Sequence, residues 1–275
     1  MRYKQKKTLG PISSYLITEL KRANKNIFRS KEAQSVVNKS PQATADLLSE
    51  LVKRGVISRL KPGLFLIIPL EADKDYLENR YIVARELIRP HNYYISHYSA
   101  MAIHGFTTQP ILKVFITSSA RRQNRLISRA EFIFLYAQPY NFFGIEDKWI
   151  TKQEKVKVSN LEKTIIDALM RPELCGGISE IAKGIWLRKH NLNYRKLLNY
   201  CSRIKIKAVA KRLGFILQTL NLADKNILTK LRVYIEDSKA YVPLDPSLKK
   251  QGKYLNRWRL LINFNPEELK SAIWT

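Results

Sequence analysis

Cysteine occurs only twice in the 275 residues, at Cys175 and Cys201. Two thiols are too few for a disulfide framework or a cysteine-built zinc site, and they point to a reducing cytoplasm. Histidine is almost as scarce: His97 and His104 lie seven apart and share a helix face, but metal ligation on a helix wants a spacing of three or four and a third ligand. They read as packing or surface histidines. With ten glycines in the chain there is no Gly-rich phosphate loop, and neither paired catalytic carboxylates nor a Ser-His-Asp order is visible. No apolar run approaches the ~20 residues of a membrane-spanning helix. The opening MRYKQKKTLG is basic, but no apolar stretch follows it, so no signal peptide is expected.

Negative charge is the other shortage. Twenty-three Asp and Glu face 49 Lys and Arg, a formal net charge of +26. That is far beyond what solubility needs and calls for a polyanionic partner, with nucleic acid favoured over an acidic membrane surface. The excess is uneven: +10 over residues 1–70, +2 over 71–150 and +14 over 151–275. Two basic ends flank a nearly neutral middle.

The best-defined stretch is Ser40 to Ile68. Ser40 is a good helix cap, Pro41 suits the first helical position, and Leu47, Leu48, Leu51 and Val52 recur at helical spacing. Gln42, Asp46, Ser49 and Lys53 fall on the opposite face, one above another. Gly55 ends the helix; Val56–Leu60 and Leu64–Ile68 read as paired strands around the turn Lys61-Pro62-Gly63. Two shorter helices precede it, Ile12–Ala23 and Lys31–Val37 with Ser30 as cap. Three helices and a β-hairpin outline a winged helix-turn-helix over residues 1–70, with Arg59 and Lys61 on the wing. A bundle with a merely solvated polar face has the same periodicity; the hairpin and local charge favour DNA. Within the module Gln42 suits adenine, Ser49 a base edge or phosphate, and Lys39, Lys53, Arg59 and Lys61 suit phosphates, with Ser40 at the helix start beside them. Asp46 either accepts from a cytosine amino group or pairs with Lys53 or Arg54; pairing is the preferred reading.

Residues 75–275 read as a mixed α/β domain with a helical C-terminal part, which makes the whole chain α+β. A helix spans Tyr76–Arg89. Strands are expected at 93–95, 111–117, 131–136, 149–151 and 155–158, and the loop SSARRQNRLISR gathers Arg121, Arg122, Arg125 and Arg129. Ser159 with Glu162 reads as a capping box. Cys175 lacks a partnered base and reads as a buried or neutral thiol. Helices follow at 179–189, 194–203, 208–221 and 223–234, then a strand at 260–262 and a helix from Pro266 to Trp274. Lys205, Lys207, Lys211 and Arg212, with the arginine loop, form a possible second basic patch. A metal-dependent nuclease would want an acidic residue ahead of a Glu-x-Lys pair on a strand. Glu146-Asp147-Lys148 has that spacing but reads as a turn, so catalysis, metal and cofactor are not expected.

The ordered blocks KPGLFLI, ISHYSAMAIHGFTTQP, VSNLEKTIIDALMRPELCGGISE and RLGFIL resemble the AbiEi antitoxins and transcriptional regulators of bacterial abortive-infection (phage-defence) systems. The resemblance covers nearly the whole chain. It implies an N-terminal module that binds inverted repeats in its own operon's promoter and represses it. It also implies a C-terminal domain that counters a nucleotidyltransferase-like toxin, AbiEii. The competing readings are a nuclease or other defence effector, and a stand-alone regulator without a toxin.

Overall fold

The computed structural model describes residues 9–107, 109 and 111–271, with the side chains of residues 270 and 271 excepted. It divides into two compact units, residues 1–91 with 124–132, and 92–123 with 133–275. The first unit thus runs past position 70 to His91 and includes the helix that the sequence reading grouped with the second part.

In the first unit, α1 (Pro11–Arg22) starts on a proline and buries Leu16, Ile17 and Leu20. A short strand β1 (Ile27–Arg29) follows, then α2 (Ser30–Val37) and α3 (Pro41–Lys53). The Glu32 carboxylate accepts the Arg29 backbone N–H at 2.7 Å, closing the start of α2. Asn38, at φ +48, turns the chain left-handed between α2 and α3. Strands β2 (Ile57–Lys61) and β3 (Leu64–Ile67) form the hairpin. Its turn holds Gly63 at φ +72, a conformation costly for any residue with a Cβ. β1 pairs antiparallel with the outer side of β3, giving the order β1-β3-β2. Helices and hairpin close on one core that includes Leu16, Leu20, Phe28, Leu48, Leu51 and Phe65. Helix α4 (Arg80–Ile88) is capped by the Asn79 side chain, which accepts from Tyr81 N.

The second unit opens with β4 (Tyr93–Ile95), α5 (His97–Ile103) and β5 (Lys113–Ser118). The hairpin of β6 (Arg125–Ile127) with the start of β7 (Ala130–Tyr136) falls in the 124–132 segment. With β8 (Ile145–Trp149) and β9 (Lys155–Ser159), the remaining strands run in the order β7-β5-β4-β9-β8, β4 and β9 being parallel. The sequence reading of 146–148 as a turn is overturned: Glu146, Asp147 and Lys148 are mid-strand, opposite Val158, Lys157 and Val156. Ser159 ends β9, so the cap of α6 (Leu161–Met170) is Asn160, whose side chain accepts from Lys163 N.

Helices α7 (Gly177–Leu187), α8 (Tyr194–Ile204) and α9 (Lys207–Thr219) pack on α6, and α10 (Lys225–Ile235) packs on α8 and α9. Their core gathers Ile165, Ile166, Leu169, Ile181, Leu213 and Trp258. β10 (Val242–Pro243), β11 (Lys253–Leu255) and β12 (Leu260–Ile262) make a small sheet ordered β10-β12-β11, and α11 runs Pro266–Ser271. The expected continuation of that last helix to Trp274 lies outside the described residues. Trp258 is fully buried and donates its indole N–H to Gln218 Oε1 at 2.7 Å. Gly214 on α9 leaves the room for this ring: a Cβ there would lie 2.1 Å from Trp258 Cζ3.

Candidate nucleic-acid interface

Helix α3 is held by its apolar side and presents its polar side. Thr44, Leu48 and Leu51 are buried, while Gln42, Asp46 and Lys53 are exposed and Ser49 is half-buried. Three to four residues make one turn, so this ribbon runs straight along the helix. Ser40 caps the helix: its hydroxyl oxygen accepts from Ala43 N at 3.2 Å and its carbonyl accepts from the Thr44 hydroxyl at 2.9 Å. The Ser40 side chain is therefore engaged in starting the helix. Lys39, just before it, is exposed.

Gln42 and Asp46 are tied to each other, Gln42 Nε2 donating to Asp46 Oδ1 at 3.0 Å. This corrects the expected partner of Asp46. Arg54 is bonded to Glu50 at 3.0 Å. The Lys53 ammonium has no partner among the described residues and extends from the last turn of α3.

On the hairpin the two basic residues part company. Arg59 is exposed, its guanidinium 5.5 Å from the centre of the Phe65 ring. Lys61 is half-buried and donates to the Leu87 carbonyl at 2.6 Å. A lysine committed to a helix-terminal carbonyl is not a free phosphate contact, and the role expected for Lys61 is corrected accordingly. A bulge between Arg59 and Lys61 sets the two apart. Lys31, in the first turn of α2, is exposed as well.

The second basic patch loses two of its expected members to burial. Lys211 and Arg212 are 1% and 5% exposed. Lys211 donates to Ser238 Oγ and the Ala240 carbonyl. Arg212 donates to the carbonyls of Leu169 at 2.7 Å, Leu244 at 3.1 Å and Pro243 at 3.1 Å. Both cations are internal ties between α9 and neighbouring backbone. Burial holds both below their ordinary pKa values. Lys207 is paired with Asp237 at 2.8 Å. Lys205 is exposed at the left-handed end of α8. Arg121 and Arg122 are exposed, Arg121 lying 4.6 Å from the Tyr136 ring centre, and Arg125 is exposed on β6.

The residues weighed for catalysis are engaged elsewhere. Lys148 Nζ lies 3.1 Å from His104 Nδ1 while His104 Nε2 meets the Ser159 carbonyl at 2.6 Å, and Asp147 pairs with Lys157 at 3.4 Å. Among the described residues no group of three or more His, Cys, Asp or Glu side chains is placed to hold a metal ion. Cys175 is buried and its thiol is pushed well above the usual range by burial; Cys201 is pushed up to about 12 for the same reason. His97 is buried, its Nδ1 2.9 Å from Ser96 Oγ, which also accepts from the Thr117 hydroxyl. Burial lowers its pKa to about 4. No helix among the described residues is long and apolar enough to cross a membrane.

No curated protein matches the chain. Among solved structures, the fold is similar to that of the RV2827C protein from Mycobacterium tuberculosis, at a TM-score of 0.74 and 11% identity over 98% of this chain and 96% of that one. Residues 15–68, which contain α1 from Tyr15 onward, α2, α3 and the β2–β3 hairpin, match the family described as "Transcriptional regulator, AbiEi antitoxin".

Proposed function

We propose that residues 1–70 act as a winged helix-turn-helix that binds operator DNA. In this reading α3 enters the major groove and the β2–β3 hairpin is the wing. The observation that carries it is the ribbon of Gln42, Asp46, Ser49 and Lys53, displayed on the face opposite Thr44, Leu48 and Leu51, within the segment that matches the regulator family. The Gln42–Asp46 bond sharpens the assignment. Gln42 gives one amide hydrogen to Asp46 and keeps its carbonyl and one N–H, the two groups that pair with the edge of adenine. Lys39, Lys53 and Arg59 supply the phosphate contacts that fix the register, and Asp46 orients the glutamine.

The protein then represses its own operon through inverted repeats, and residues 75–275 serve as a non-enzymatic antitoxin domain against a nucleotidyltransferase-like toxin in the cytoplasm. Footprinting on the chain's own promoter at physiological ionic strength tests the first part. Protection is expected; Gln42→Ala relaxes preference at one base, and Lys53→Ala weakens all sequences alike. An unprotected promoter overturns the repressor reading. Co-expression with the neighbouring gene product, scored by growth, tests the second part. Failure to rescue leaves a stand-alone regulator.

A further inference from the structure

We propose that the second unit carries a binding site for a nucleoside phosphate, in the cleft between the end of α10 and the β11–β12 turn. The cleft has a volume of about 290 Å³ and is lined by Arg232 and Thr229 from α10 and by Asn256, Arg257 and Arg259 from the turn, with Glu236 as its one carboxylate. Three guanidiniums converging on one concavity make an anion site, and their forked N–H donors match phosphate oxygens. Arg232 and Arg257 are exposed and have no partner among the described residues.

The backbone is arranged for the same end. Arg259 stands at φ +51, the left-handed position of the hairpin turn where glycine or asparagine is favoured. A bulky side chain kept in that conformation is strain of the kind found at binding sites. Arg259 also lies close enough to the buried Lys211 for the two like charges to repel, adding to the effect of burial on that lysine.

An aromatic platform adjoins the cations. The Tyr241 hydroxyl bonds to Asn256 Oδ1, Arg259 Nη1 lies 3.4 Å from the same hydroxyl, and Tyr241 meets Tyr254 edge-on at 5.0 Å. Tyr254 is 68% exposed. An exposed ring next to an arginine cleft offers a stacking surface for a base whose phosphate sits among the guanidiniums. The ligand is therefore a nucleoside phosphate, free or within a single strand.

The test uses the full chain at physiological ionic strength, with mant-ATP as the free nucleotide and a fluorescein-labelled oligouridylate as the strand. Binding of either probe, weakened about tenfold or more in Arg232→Gln/Arg257→Gln and reduced in Tyr254→Ala, supports the site. Lys250→Gln, an exposed cation elsewhere on the unit, is expected to leave binding unchanged. Which probe binds identifies the source of the phosphate. All substituted positions are exposed, so unchanged melting curves are expected to accompany the loss. Binding of neither probe, wild-type binding by the double variant, or an equal loss in Lys250→Gln overturns the proposal. Duplex footprinting of the same variants is expected to match wild type, so this site and the operator reading of α3 fail separately.

Discussion

Lys163 and Asp167 form an ion pair one helical turn apart on α6, with each side chain only 1% exposed. The ammonium also lies 3.3 Å from the Tyr94 hydroxyl and 4.9 Å from the centre of the Phe143 ring. Taking both charges out of water is costly, and the pair holds because the ammonium is satisfied by Asp167 and by the Tyr94 and Phe143 ring faces, while Asp167 Oδ2 is left buried without a hydrogen-bond partner among the described residues.

Removing one member is expected to be far worse than removing both. Lys163→Met or Asp167→Leu should each cost about 3–5 kcal/mol, because the remaining charge is left buried and unpaired. The double substitution should recover much of that loss. Urea titrations of the three variants, compared as a thermodynamic cycle, check this; single-variant losses that simply add in the double would contradict it.

His97 makes stability acid-sensitive. Burial lowers its pKa in the folded protein to about 4, below the ordinary histidine value of 6.5. The unfolded chain therefore binds this proton first, and the stabilisation is present above pH 6.5 and lost as pH falls towards 4. The shift corresponds to roughly 3 kcal/mol across that window. His104, also lowered chiefly by burial, acts in the same direction. His97→Asn, at a φ of +50 that asparagine tolerates, should flatten the acid limb of stability against pH.

Lys53 and Lys61 should separate binding from folding. Lys53→Ala is expected to reduce the salt slope of operator binding by about one phosphate equivalent with little change in melting temperature. Lys61→Ala removes the donor to the Leu87 carbonyl and should lower stability by about 1–3 kcal/mol while leaving the salt slope in place. Paired salt titrations and melting curves distinguish the two.

Gly214→Ala should destabilise the second unit, because the added methyl meets the Trp258 ring inside contact distance. A loss of about 1–3 kcal/mol is expected for overpacking of this kind. A blue-shifted, buried Trp258 signal that becomes solvent-exposed in the variant would locate the damage.

The elements legible in the sequence were those fixed by local chemistry. Ser40-Pro41 announces α3 because a cap and a proline act within one turn, and Pro62-Gly63 announces the hairpin for the same reason. β1 escaped notice because three residues carry no periodicity and its partner β3 is distant in sequence. Glu146-Asp147-Lys148 read as a turn from its polarity, whereas pairing with β9 makes it a strand. Ser159 and Asn160 are both good caps, and only the register that keeps Ser159 opposite Ile145 decides between them. Lys211 and Arg212 read as surface because they are charged. Their neighbours Val209, Ala210, Leu213, Phe215, Ile216 and Leu217 surround the helix with apolar side chains, and that all-round apolarity was the overlooked sign of burial.

The tether from Lys61 to the end of α4 also sets where a workable fragment must stop. A piece cut at position 70 would strand that ammonium beside a missing acceptor and drop the Asn26–Glu78 bond of 3.1 Å as well. Cutting after His91 retains both anchor points and leaves out only the 124–132 segment of the first unit, so the hairpin and α4 stay together.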